Sequence, residues 1–120
     1  MTKVLVVDDS MYMRRLISDV LAQNSCTVVG EASDGSEALE QYRRLQPEIV
    51  FMDIVMPCVD GIEAVRQIRA YDRNARIIMC SCIGQSQHLK EALMAGACEY
   101  VTKPFRPENL ARALETAAHS

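Results

Sequence analysis

Five apolar runs punctuate this chain, and each is followed by a stretch in which apolar residues return every three or four positions. The runs cover Lys3–Val7, Thr27–Ala32, Glu48–Met52, Arg76–Ser81 and Glu99–Thr102. Near-continuous apolarity of this length describes strands buried on both faces, as in a parallel sheet covered by helices. Between the runs, Met13, Leu16, Ile17, Val20 and Leu21 form one stripe, and Ala38, Leu39, Tyr42 and Leu45 a second. Ile62, Val65 and Ile68 follow, then Leu89, Ala92 and Leu93, and last Leu110, Ala113, Leu114 and Ala117. All fit the spacing of one helix face. Asp34 with Glu37 predicts a capping box, Gly96 the end of the fourth helix, and Pro107 the first turn of the fifth. Five β–α units predict an α/β fold: a doubly wound, five-stranded parallel sheet with five helices and right-handed crossovers.

Composition adds little to this picture but excludes several classes. A chain of 120 residues suits one domain, and a hydrophobic share of 49% is that of an ordinary globule. The net charge of −3 argues against a nucleic-acid or membrane surface. The pairs Arg14-Arg15 and Arg43-Arg44 are too short to reverse that and are expected on solvated helix faces. No apolar run approaches the ~20 residues of a membrane span, and Met1-Thr2-Lys3 leads straight into a strand, so a cytoplasmic protein is expected. Cys26, Cys58, Cys80, Cys82 and Cys98 are odd in number and form no Cys-x-x-Cys pair. They read as small buried hydrophobes of a reducing compartment. Cys58, in a loop beside the acids, is the most exposed to reaction.

The candidate chemistry lies at the strand ends. Asp8 and Asp9 end the first apolar run and Asp53 ends the third. In open α/β sheets, ligands bind outside the carboxyl ends of the strands. If those two strands are neighbours, three acids meet. Two unit charges ~5 Å apart at an effective dielectric of ~20 repel by ~3 kcal/mol. Such a group calls for a hard divalent cation with oxygen ligands. Ser81 ends the fourth run and Lys103 follows the fifth, so a hydroxyl and an ammonium face the same edge. Carboxylates, a cation, a hydroxyl and an ammonium together suit a transferring phosphoryl group: a carboxylate attacks in line while the cations neutralise the equatorial oxygens.

These residues carry a resemblance. Val7-Asp8-Asp9-Ser10, Asp53-Ile54-Val55-Met56-Pro57, Asp60-Gly61, Ser81 and Tyr100-Val101-Thr102-Lys103-Pro104-Phe105 resemble the motifs of response-regulator receiver domains over essentially the whole chain, residues 1–120. The resemblance implies a flavodoxin-like sheet in the order 2-1-3-4-5. It implies that Asp53 accepts a phosphoryl group from a histidine kinase. Asp9, Asp53 and the backbone carbonyl of Val55 would bind Mg2+ directly, with Asp8 acting through water and Mn2+ as a possible substitute. Ser81 and Lys103 would hold the phosphoryl oxygens, Ser81 as switch hydroxyl and Tyr100 as switch aromatic. The Lys103-Pro104 bond is expected cis. Val55 and Ile83 flank the path of a hydrolytic water and carry no donor or acceptor, so slow self-dephosphorylation and a separate phosphatase are expected. Such a protein is a switch, not a turnover enzyme on small molecules.

Within the receivers, Asp9-Ser10-Met11-Tyr12-Met13-Arg14 and Arg76–Gln85 look most like the free-standing chemotaxis regulators. Cys82 departs from them, since such proteins usually carry alanine there. This likeness implies a monomer that signals to a flagellar motor switch protein through the fourth helix, fifth strand and fifth helix. The alternative is a receiver module of a larger regulator with a DNA-binding or methylesterase effector. Two other classes fit less well. Aspartyl-phosphate phosphatases of the haloacid dehalogenase type place the nucleophile in an Asp-x-Asp motif on the first strand, where this chain has adjacent acids. Flavodoxins hold their phosphate in a hydroxyl- and glycine-rich first loop, which Asp8-Asp9-Ser10 would repel.

Overall fold

Strand and helix alternate from end to end: β1 (Thr2–Val7), α1 (Met11–Gln23), β2 (Cys26–Ala32), α2 (Gly35–Leu45), β3 (Ile49–Asp53), α3 (Gly61–Tyr71), β4 (Ile77–Cys82), α4 (Ser86–Ala95), β5 (Glu99–Lys103) and α5 (Pro107–Ala118). The computed structural model describes residues 1–56, 59–82, 86–103 and 106–119, with Cys82 and Ser86 described by backbone alone. The strands form one parallel sheet in the order β2-β1-β3-β4-β5. That is the predicted architecture and the predicted order. No helix among the described residues is long and apolar enough to cross a membrane.

Strand alternation divides the core between the two faces of the sheet. Val4, Val6, Ile49, Phe51, Ile78 and Cys80 pack with Ile17 and Leu21 of α1 and with Leu110, Ala113 and Leu114 of α5. Leu5, Val7, Val50, Met52, Ile77 and Met79 pack on the other side with α2, α3 and Ala92 of α4. Two of the predicted stripe residues are exposed, Leu16 and Leu93. Each lies one residue, and so about 100°, round the helix from a buried neighbour.

The helix ends carry their own chemistry. Ser10, Asp34 and Asp60 cap α1, α2 and α3 by accepting from the backbone N–H three residues on. The capping box at α2 forms only by half. Asp34 accepts from the N–H of Glu37 at 2.9 Å, but the Glu37 carboxylate accepts from the Ser33 hydroxyl at 2.9 Å. Asp34→Ala should therefore cost about 1 kcal/mol, read as a lower urea midpoint at unchanged slope. Gly96, at φ +124°, closes α4 as predicted. Its N–H donates to the Leu93 carbonyl, and that of Ala97 to the Ala92 carbonyl, both at 3.1 Å, which is a Schellman pair.

Two glycines let helices close onto the loop that follows β3. The N–H of Gly61 donates to the Ile54 carbonyl at 2.8 Å, and the N–H of Gly35 to the Val59 carbonyl at 3.0 Å. A Cβ at Gly61 would collide with the carbonyl oxygen of Asp53, and one at Gly35 with that of Val59.

Candidate functional site

Because β1 and β3 are neighbours with Val7 opposite Met52, Asp8 and Asp53 come level at the carboxyl edge of the sheet. Asp8 is 1% exposed and Asp53 7%, whereas Asp9 points into solvent. Carboxylate oxygens of the three acids lie within 4.8 Å of one another. Lys103, on β5, reaches past β4 to this pair. Its Nζ lies 3.0 Å from Oδ2 of Asp8 and 3.3 Å from Oδ1 of Asp53. The other oxygen of Asp8 accepts from the backbone N–H of Ser10 at 2.9 Å. Ser10 thus serves twice, as helix cap and as a partner of the buried acid, a role that sequence reading missed.

One ammonium does not balance three acids. The carboxyl of Asp53 is pushed up to about 6, first by burial and then by the charge of Asp8, with Lys103 pulling it down and Asp9 adding to the rise. Burial alone would lower the ammonium of Lys103, yet it is raised, because Asp8 accepts from it and Asp53 adds charge. Oxygens around one magnesium ion at ~2.1 Å lie at most ~4.2 Å apart. Asp8, Asp9 and Asp53 each offer an oxygen within 4.8 Å of the others, so they fit a divalent cation in number and type and have only to draw together to hold one.

The remaining predicted residues fall into place unequally. Ser81 is fully buried, and its hydroxyl has no hydrogen-bond partner among the described residues. A buried hydroxyl left without a partner costs about 1–3 kcal/mol, so this one is ready to gain an acceptor. Tyr100 stands on the edge strand with its ring half out in solvent, beside a groove of about 380 Å³ lined by Glu99, Thr102, Asn109 and Arg112. Val55, two residues after Asp53, is 54% exposed. Cys26 and Cys80 are buried with their thiols pushed up, chiefly by burial, and Cys98 is half-buried. These three behave as the small hydrophobes expected. Cys58, the Cys82 side chain, Ile83 and the Lys103-Pro104 bond lie outside the described residues.

One expectation is corrected. Arg15 is solvated, but Arg14 is not: it bonds the backbone carbonyl of Asp8 and the carboxylate of Glu31. Arg43 and Arg44 are exposed as expected, the first lying over the ring of Tyr71 at 5.2 Å and the second bonding Gln41. A basic pair in sequence does not reveal which of its members turns toward the sheet.

A five-stranded parallel sheet with acids, hydroxyl and lysine at one edge is shared by a known family, and comparison agrees. The family profile described as response regulator receiver domain matches residues 4–115. The chain is 45% identical over 112 residues to the chemotaxis protein CheY of Thermotoga maritima, covering 93% of each. It is also 45% identical to a protein-glutamate methylesterase/protein-glutamine glutaminase of Nocardioides sp., covering 94% of this chain and 32% of that one. Among solved structures, the CheX-CheY-BeF3-Mg+2 complex of Borrelia burgdorferi is similar at a TM-score of 0.92 and 31% identity, covering 98% of this chain and 89% of that one. The protein belongs to the response-regulator receiver family.

Proposed function

We propose that the protein is a chemotaxis regulator of the CheY type, phosphorylated on Asp53 by a histidine kinase and switching its binding partner in response. The observation that carries the reading is a buried Asp53, sharing one ammonium with two other acids, on the same sheet edge as the Ser81 hydroxyl, which has no partner among the described residues. Oδ of Asp53 attacks the phosphorus in line, forming the acyl phosphate as the bond to the kinase histidine breaks. Lys103 passes from Asp53 to an oxygen of the arriving phosphoryl group. Ser81 supplies a donor that has no acceptor among the described residues, and charge-assisted bonds of this kind are about twice as strong as neutral ones. Asp8, Asp9, Asp53 and the Val55 carbonyl are the proposed ligands of Mg2+, with Mn2+ as substitute. When bound, the metal would neutralise charge on the phosphoryl oxygens.

Movement of Ser81 toward the phosphoryl group vacates space beside β5, into which Tyr100 turns. The surface of α4, β5 and α5 then presents a new face to the flagellar motor switch protein. The side chain of Val55 offers no polar atom to orient water, so resetting depends on a separate phosphatase. The protein acts as a cytoplasmic monomer and is not a turnover enzyme. A second reading, as receiver of a larger regulator, is favoured by the likeness to the methylesterase, of which such a segment forms a third.

Incubation with acetyl phosphate and magnesium, then borohydride reduction and peptide mass spectrometry, tests the assignment. Label is expected on Asp53, and Asp53→Asn should lose it. Strong label at another aspartate of that variant would sink the reading.

A further inference from the structure

Arg14 is out of keeping with its place in the sequence. It closes the first turn of α1 beside the solvated Arg15, yet only 14% of its side chain is exposed. Its Nη1 donates to the backbone carbonyl of Asp8, and its Nε donates to Oε1 of Glu31 at 2.9 Å. The N–H of Asp8 already donates to the Ala32 carbonyl at 3.1 Å. The backbone is therefore held on both sides of Asp8, toward β2 through the N–H of the Val7–Asp8 peptide and toward α1 through the C=O of the Asp8–Asp9 peptide. The carbonyl belongs to the planar unit that joins Asp8 to Asp9. Fixing that plane fixes how the exposed acid is aimed relative to the buried one. A guanidinium suits the task because its donors form a rigid fork.

Resting on the magnesium reading above, we propose that Arg14 is a positioning residue for the cation site, setting the aim of Asp9 against Asp8 and so the affinity of the site. Two effects oppose each other here. As a bare positive charge, Arg14 would repel a divalent cation, and its removal would tighten binding. As a brace, it holds the Asp8–Asp9 peptide in one orientation, and its removal would loosen binding. Glu31 offsets much of the charge, so the brace prevails. The sign of the change separates the two.

Magnesium affinity measured by titration calorimetry on the full chain is the test. Arg14→Ala should weaken binding about tenfold, the scale on which partners of metal ligands act. Arg15→Ala removes the same charge one residue on and should leave affinity unchanged or slightly tighter. Arg14→Lys keeps the charge but has one donor group, so it should lie between the native chain and Arg14→Ala. It also carries the comparison if the alanine variant does not fold. Urea unfolding in EDTA gives the separate readout: a residue that served the fold alone would lower the midpoint and leave magnesium affinity unmoved. Unchanged or tighter binding in Arg14→Ala would overturn the role of Arg14 while the proposed function stands. Absence of magnesium binding in the native chain would overturn both.

Discussion

Asp53→Asn should make the magnesium-free protein more stable, by about 2 kcal/mol at neutral pH, and should remove most of the stabilisation that magnesium confers on the native chain. Asp53 has an ordinary value of 3.8 and is pushed up to about 6 by burial and by Asp8. A tenfold change in proton affinity is ~1.4 kcal/mol, so keeping this carboxylate ionised costs up to ~3 kcal/mol. Asparagine avoids that cost but still buries a polar amide in the same place, hence the smaller net figure. The sign follows from linkage. The fold favours the protonated acid, so between pH 3.8 and about 6 the folded chain binds more protons than the unfolded one. The contribution of this group is whole below that window and is lost as pH rises through it. The metal-free native chain should lose stability across the window, and the variant should not. In magnesium the order reverses, because binding at a hundredfold excess over Kd adds ~2.7 kcal/mol and the variant lacks one ligand. Thermal melts in EDTA and in magnesium across that pH range measure both halves. A variant less stable than the native chain in EDTA would refute the account.

The opposite result is expected for Lys103→Met. Methionine keeps much of the length and apolar stem and removes the charge that lies between Asp8 and Asp53. Breaking a buried pair by removing one partner costs 3–5 kcal/mol. Lys103 is 15% exposed, and Asp53 can take up a proton, so about 3 kcal/mol is expected in EDTA at neutral pH. Magnesium should restore much of the loss, since it supplies the missing positive charge. The double variant with Asp53→Asn should be more stable than the two single changes predict by addition, with a coupling of about 1–2 kcal/mol for groups in one network. Urea unfolding of the four chains gives the coupling directly. Simple additivity would show that the ion pair is not what holds this corner of the fold.

How far the sequence foretold the molecule can be argued from a few residues. Asp8, Asp53 and Lys103 were legible because each follows an apolar run, and a parallel sheet brings such ends to one edge. The strand limits were less legible. Asp53, Cys82 and Lys103 belong to their strands although the apolar runs stop before them. Apolarity reports where side chains are buried, while pairing follows the backbone, as in the bond from Ile54 N–H to the Cys80 carbonyl at 3.2 Å. Arg14 and Ser10 were missed for different reasons. The partners of Arg14 lie in the turn and on β2, and no local pattern encodes them. Those of Ser10 are local, an Asx turn onto Asp8 and a cap on Met13, and were legible but overlooked. The unpartnered state of the Ser81 hydroxyl is likewise a property of packing, invisible in composition.

The two glycine contacts beside β3 have a mechanical consequence. Gly61 and Gly35 tie the connection after Asp53 to the starts of two helices, with no room for even one added carbon. That wall of the site is stiff. The opposite wall holds Ser81, whose hydroxyl is bonded to nothing among the described residues. Under the proposed function, a push delivered at Asp53 would meet one tightly packed side and one side with an unsatisfied donor, and would pass across β4 toward β5.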